Sequence, residues 1–191
     1  MAPAFLIVPG ERIGKVAIGD NQEAVHKRMG KPNKVLVNVK AQLALHDEDY
    51  PELDQWQKSL EQSSRNVTIE IWKRPKAAGS FKVVYERGVA RQISVSLNGY
   101  STSDGLSVAS TFADFEKKYK NPRDFAYVLV PDEQLGLSAT LETMKDYVSD
   151  GLALFSGVYF GPSAPEDVDT VIVHQAGLLA LNGYSISSSG D

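Results

Sequence analysis

Chemistry in this chain is sought first at its three histidines, because imidazole readily carries a proton or a metal near neutral pH. They are His26, His46 and His174. His26 falls on the Lys27-Arg28 side of a short helical segment and reads as solvated surface. His174 stands in a strand beside a turn, with no carboxylate next to it in sequence. Only His46-Asp47-Glu48-Asp49 groups metal-ligand residue types. Its carboxylates are better explained as the start of a helix, where anions meet the positive end of the dipole, and the stretch lacks the glycine and terminal glutamate of a calcium loop. Nucleophile signatures are missing: there is no Gly-x-Ser-x-Gly elbow and no Gly-x-Gly-x-x-Gly. Gly10-Glu11-Arg12-Ile13-Gly14-Lys15-Val16 imitates a phosphate loop but is one residue short between the glycines, and Val16 stands where a hydroxyl must hold magnesium. The absence of cysteine excludes thiol catalysis, disulfides and cysteine-held metals. The expectation is no enzyme, no metal and no cofactor.

Aromatic residues are the remaining candidates. Trp72 shares strand parity with Thr68 and Glu70, on what reads as the polar face of a strand, and Tyr159 flanks Val158 and Phe160. Large aromatics on a polar sheet face resemble interface anchors, because they bury much area with few rotatable bonds. Trp72, Tyr159 and Phe160 are therefore the expected binding residues. Trp56 reads as a core residue of its own helix. Phe155, Tyr159 and Phe160 offer an alternative, the lining of an apolar groove.

The elements that must position these residues are written in local signals. Asp20 reads as a helix N-cap with Glu23 three positions on, Val25 and Met29 supply apolar positions, and Gly30 with Pro32 stops the helix. A weaker copy follows: Asp20, Val25, Met29 and Pro32 are matched 90 residues later by Ser110, Phe115, Tyr119 and Pro122. Ser110 or Thr111 would cap it, and Asn121 stands where Gly30 stood. Strands are expected after each helix, over 34–39 and 125–130. Val83 to Val89 aligns with Ile172 to Leu178, each reading as a strand entering a glycine turn. Val67, Ile69 and Ile71, and Ile93, Val95 and Leu97, alternate with polar residues, which predicts antiparallel strands covered by helices on the apolar side. Further helices are expected from Asp49 through Leu60 and over 134–147 around Leu141 and Met144. Asn98 to Asp104 is the natural joint. The predicted fold is α+β, a tandem repeat of a helical layer packed on an antiparallel sheet, divided into 1–99 and 100–191.

This pattern resembles the SmpA/OmlA (BamE-like) envelope module, through Ile13-Gly14, Val16, Ile18-Gly19, Val25, Gly30-Lys31-Pro32, Trp72 on a strand, and Phe81 to Val95 around Gly88. That module is similar in fold to the beta-lactamase-inhibitory-protein repeat, which also occurs as two tandem copies. The resemblance implies an exported bacterial protein with helices on an antiparallel sheet. The lipidated cysteine of the one family and the disulfides of the other are absent, and inhibitory activity is not carried over.

Charge and hydropathy narrow the partner. The 191 residues carry 20 basic and 24 acidic side chains, a net charge of −4 with no basic cluster, which argues against nucleic acid. Ala4 to Pro9 is far shorter than the ~20 apolar residues a spanning helix needs. The chain reads as the mature part of an exported protein, periplasmic or extracellular. Its expected role is a non-catalytic protein–protein interaction module using exposed sheet faces. The alternative is a small-molecule or lipid-binding module with its groove between the repeats.

Overall fold

The computed structural model describes residues 5–40, 43–45, 66–129, 141–156 and 168–174. Three two-residue strands, β1 (Ile7–Val8), β2 (Arg12–Ile13) and β3 (Val16–Ala17), form a small antiparallel sheet. Helix α1 (Gln22–Met29) follows, then β4 (Lys34–Lys40), β5 (Leu43–Leu45), β6 (Asn66–Trp72), β7 (Phe81–Glu86) and β8 (Val89–Val95). Helix α2 (Phe112–Glu116) precedes β9 (Arg123–Leu129), β10 (Leu141–Tyr147), a 3₁₀ turn at Val148–Asp150, β11 (Leu152–Ser156) and β12 (Thr170–His174). The fold is α+β, with two antiparallel sheets and few helices among the described residues.

Local chemistry explains the helix ends. The N-cap of α1 is Asn21, whose side chain accepts from Ala24 N at 2.8 Å. Asp20, the expected cap, lies one residue too early and instead accepts from Ala17 N in the preceding turn, at 2.7 Å. Gly30 closes the helix at φ 79°, where its N–H bonds His26 O. Thr111 and Asp114 form a reciprocal capping box on α2. Asn121 takes a positive φ of 54°, which its short polar side chain tolerates. The β7–β8 hairpin turns at Arg87 and Gly88, both at positive φ, as a tight two-residue turn requires.

The large sheet runs β4-β6-β7-β8-β12-β11-β10-β9-β5, antiparallel throughout. Its chain order is mirrored about the β8–β12 pair, where Ile93 faces Val173. Both ends of the order come from one stretch of chain. Only residues 41–42 separate β4 from β5, a reach of at most about 11 Å, so the sheet rolls round until its ends approach.

Strand registers define the correspondence between the halves. Leu36 pairs with Ile69 and Ile69 with Val84, while Phe125 pairs with Met144 and Met144 with Phe155. The helices dock alike: Asp20 O accepts from Ala90 N in β8 at 2.8 Å, and Ser110 O accepts from Val168 N before β12 at 3.0 Å. By this register β7 corresponds to β11 and β8 to β12. The sequence alignment of Val83 with Ile172 is therefore corrected, since it matches β7 to β12.

Both faces of the sheet are buried. The helix-side core joins Trp72, Phe81, Val83, Ile93, Val173 and Leu154 to Val25 of α1 and Phe115 of α2. Val67, Ile69, Ile71 and Val84 form a second cluster on the opposite face. The expected helix-facing stripe Val67-Ile69-Ile71 thus points away from α1, and Glu70 and Trp72 point toward it. Alternation reveals which residues share a face; it does not reveal which face meets the helix when both are covered. Residues 141–147, expected to be helical, form β10, hydrogen-bonded to β9 and β11. With strands on both sides to satisfy its backbone, the ladder outweighs the helical spacing of Leu141 and Met144. The helix expected from Asp49 to Leu60, with Trp56, lies outside the described residues, as does His46-Asp47-Glu48-Asp49.

Two measurements test this account. Gly151 has φ 66°, and an added Cβ would meet the backbones of Gly10 and His174, so Gly151→Ala is expected to destabilise by at least about 3 kcal/mol. Gly88 also has positive φ but open space around it, so Gly88→Ala is expected to cost only about 1 kcal/mol in the same denaturant titration. The Asp114 carboxyl is lowered to about 2, first by its bond to Lys117 and then by Thr111. A depressed carboxyl stabilises the fold above the unfolded value near 4 and loses that contribution as pH falls toward 2. NMR titration of Asp114 should give a midpoint near 2, and Asp114→Asn should flatten the acid limb of the stability curve.

Candidate functional site: an aromatic and basic pocket

The seam where the N-terminal sheet, α1 and one end of β6–β7 converge is an open pocket of about 320 Å³. Its wall is a run of aromatic contacts. Trp72 meets Phe81 edge-on at 6.3 Å, Phe81 lies 5.8 Å from Tyr100, and Phe5 meets Tyr100 edge-on at 5.4 Å. Met29 and Leu97 complete the apolar lining, and Lys15, Arg28, Lys73 and Arg74 ring it. Among the described residues no acidic side chain lines the pocket, against the negative net charge of the chain.

Each wall residue is placed by an identifiable constraint. Trp72 ends β6, and its indole N–H donates to Gly30 O at 3.2 Å, filling the acceptor left by the helix stop. Arg74 sits over the rings of Phe5 and Tyr100, at 5.4 and 5.8 Å. Burial pushes the Tyr100 hydroxyl pKa up, against the lowering effect of Arg74, so it stays a hydrogen-bond donor near neutral pH. Arg28 is committed to Asp20 and to the carbonyls of Lys15 and Ala24. The ammonium groups of Lys15 and Lys73 make no hydrogen bond or ion pair among the described residues. This set can hold an apolar group with a negative charge beside it; it contains no nucleophile–base pair.

Beneath the pocket wall, His26, expected as solvated surface from its Lys27-Arg28 neighbourhood, keeps 38% of its side chain exposed but reaches a buried partner. Its Nε2 contacts both oxygens of Glu70 at 2.8 and 2.9 Å, and Gln22 Nε2 donates to Glu70 Oε1 at 3.2 Å. Glu70 is 2% exposed. Its neighbour Tyr85 is pushed strongly up in pKa by burial and then by Glu70. The registers bring Glu70 into correspondence with Lys145, and the helices bring His26 into correspondence with Glu116. Lys145 Nζ pairs with Glu116 Oε1 at 3.0 Å. A helix-to-sheet polar pair thus occurs at matching places in both halves, with its charge order reversed. Trp72 corresponds likewise to Tyr147, and Met29 to Tyr119, whose rings lie 5.8 Å apart.

The expected binding residues are distributed unevenly. Trp72 lines the pocket but is 8% exposed, so it is a wall and not a protruding anchor. Its strand parity sets it under α1, and its N–H finds a backbone acceptor there. Tyr159 and Phe160 lie outside the described residues, and Phe155 falls in β11. His174 is buried on the sheet face opposite Glu70. Phe5, Lys15, Arg28, Arg74 and Tyr100 were not singled out from sequence. The signals that pointed to them were the run Trp72-Lys73-Arg74 and a charged Glu70 between two isoleucines. Among the described residues the pocket is lined by residues 5 to 97 and by Tyr100 at the expected joint, rather than forming a groove between the halves.

No family model matches the chain, and no curated protein matches it. Among solved structures it is similar to a cysteine-rich secretory protein from Staphylococcus aureus subsp. aureus Mu50, at 14% identity and TM-score 0.47, over 99% of this chain and 55% of that one. It is also similar to an extracellular protein containing an SCP domain from Bacillus anthracis, at 10% identity and TM-score 0.43, over 91% and 49% respectively. The chain spans about half the length of these structures. No helix among the described residues is long and apolar enough to cross a membrane.

The polar pair beneath the pocket gives a direct test. His26→Ala leaves a buried carboxyl group without its main partner and is expected to cost about 2 kcal/mol, discounted for the partial exposure of His26. The double change His26→Glu with Glu70→Lys imports the order found in α2 and β10. It should recover at least half of the loss caused by Glu70→Lys alone in chemical denaturation. If the double variant is no more stable than Glu70→Lys, the correspondence of the two pairs fails.

Proposed function

We propose that the protein is a non-catalytic binding protein, exported to the periplasm or the cell exterior, that anchors a protein partner at the aromatic and basic pocket. The observation that carries this reading is the pocket itself: an aromatic wall, four cations on its rim, no acidic side chain among the described residues, and Phe5 at its mouth with 49% of its surface exposed. An exposed aromatic beside a preformed pocket is an arrangement suited to an energetic centre of binding. The docking surface is therefore placed at this seam rather than on an open sheet face. A small-molecule reading is second, supported by a volume within the range of ligand sites.

The two halves, 1–99 and 100–191, belong to the same proposal as tandem copies. It is supported by the mirrored strand order, by equivalent helix docking through Asp20 and Ser110, and by the pairs His26–Glu70 and Glu116–Lys145. The likeness to the SmpA/OmlA (BamE-like) and beta-lactamase-inhibitory-protein repeats is proposed with it.

Trp72→Ala is a poor probe, because loss of a buried tryptophan costs about 3–5 kcal/mol in stability alone. A photoreactive benzoylphenylalanine at position 5 keeps the aromatic shape and reports on whatever docks. Cross-linking in envelope or culture-supernatant extract is expected to yield one dominant adduct, lost in Arg74→Ala and absent when the probe sits at Lys120. A similar spread of adducts from positions 5 and 120 would remove the pocket from the interface.

A further inference from the structure

We infer that the pocket selects a carboxylate attached to a compact apolar or aromatic group, as on the C-terminal residue of a peptide or in a free arylalkyl acid. This rests on the reading of the pocket as the binding site and specifies its ligand chemistry. Size comes first: 320 Å³ holds about ten water-sized groups, which fits one large side chain with its carboxylate. Charge comes second. Asp20 satisfies Arg28 within the fold. Lys15 and Lys73 have no such partner among the described residues, and Arg74, held on the rings of Phe5 and Tyr100 and hydrogen-bonded to the Tyr100 hydroxyl, has further N–H groups to offer an acceptor. The apolar body is the third constraint. Trp72 has its N–H spent on Gly30, so the indole offers only its apolar surface, and Phe81, Met29 and Leu97 continue that surface. The Tyr100 hydroxyl, kept protonated by burial, adds a donor at the junction between the apolar wall and the cationic rim. A neutral ligand of the same shape would give Lys15 and Lys73 no anionic partner. A bare inorganic anion would forgo the aromatic wall. The anionic group and the apolar group must therefore sit on one ligand a few bonds apart.

The test uses the full chain with Trp56→Phe, so that fluorescence reports Trp72, and calorimetry alongside. The probes are 3-phenylpropanoate, its amide, the peptide N-acetyl-Ala-Ala-Phe with a free carboxylate, and that peptide's C-terminal amide. The acids are expected to bind at least tenfold more tightly than the amides and to weaken as salt is raised. Lys73→Ala and Lys15→Ala should each lower acid affinity about threefold or more while leaving amide binding unchanged. Both lysines are exposed and make no ion pair among the described residues, so these variants should retain the parent's unfolding curve. Tighter binding of the peptide than of phenylpropanoate assigns the ligand to a chain terminus, and the reverse order assigns it to a free acid. Equal affinity for acid and amide, or no binding of either, overturns the carboxylate assignment. If cross-linking from position 5 persists in that case, the interface stands with a different ligand chemistry; if it is lost too, both readings fall.

Discussion

The pairing of β8 with β12 is the constraint on which the rest of the structure depends. Ile93 and Val173 face one another at the centre of the sheet, and Val95 faces Val171; all four are fully buried. Through this ladder two four-stranded arrays become one sheet, and the helix-side cores under α1 and α2 become one cluster. Sharing a central ladder removes one edge from each array. The other edges are drawn together by the short link between β4 and β5. The same geometry delivers the backbone N–H of Ala90 to Asp20 and that of Val168 to Ser110, so the helices are hung from the strands next to the midline.

A sheet buried on both faces also explains where sequence reading succeeded and where it misled. Signals that act within a few residues were legible: the stop at Gly30 and Pro32, a cap at Ser110 or Thr111, Asn121 in the place of a glycine, and the turn at Gly88. Each is set by backbone geometry that no distant contact needs to complete. Face assignment was different. Val67, Ile69 and Ile71 were correctly grouped, yet the direction of the group depended on what lay above and below the sheet. Glu70 was read as solvent-facing because carboxyl groups seldom enter a core unpaired. His26 supplies the partner from 44 residues away, a contact that neither residue's own neighbourhood announces. Trp72 follows from Glu70 by strand parity, and so the expected surface anchor became a pocket wall.

The pocket was the least legible feature because it is assembled from six separate stretches of chain, the first being Phe5 before β1. Lys15 comes from a turn in the N-terminal sheet, Arg28 and Met29 from α1, Trp72 to Arg74 from the end of β6, Phe81 from β7, and Leu97 with Tyr100 from the loop after β8. Net charge concealed it further. A total of −4 describes the whole surface, whereas a ligand responds to the charges within about a Debye length, roughly 8–10 Å. A chain that is acidic overall can therefore present a locally cationic site, and the sum argues only against partners that need a broad basic face.

The residues around the pocket differ from those at the corresponding places across the midline. Where β6 ends in Trp72 and continues into Lys73-Arg74, the corresponding β10 ends in Tyr147 and continues into Val148-Ser149. Where Met29 at the end of α1 lines the pocket with Trp72, α2 is followed by Tyr119, whose ring lies 5.8 Å from that of Tyr147. Farther along, the approach of Gly10 to Gly151, with Gly10 N donating to Gly151 O at 3.0 Å, brings the N-terminal turn onto the start of β11. That contact uses the second half as a support for the N-terminal sheet, which then carries Phe5 and Lys15 to the mouth of the pocket in the first. The opening lined with rings and cations is thus braced from across the midline of the sheet.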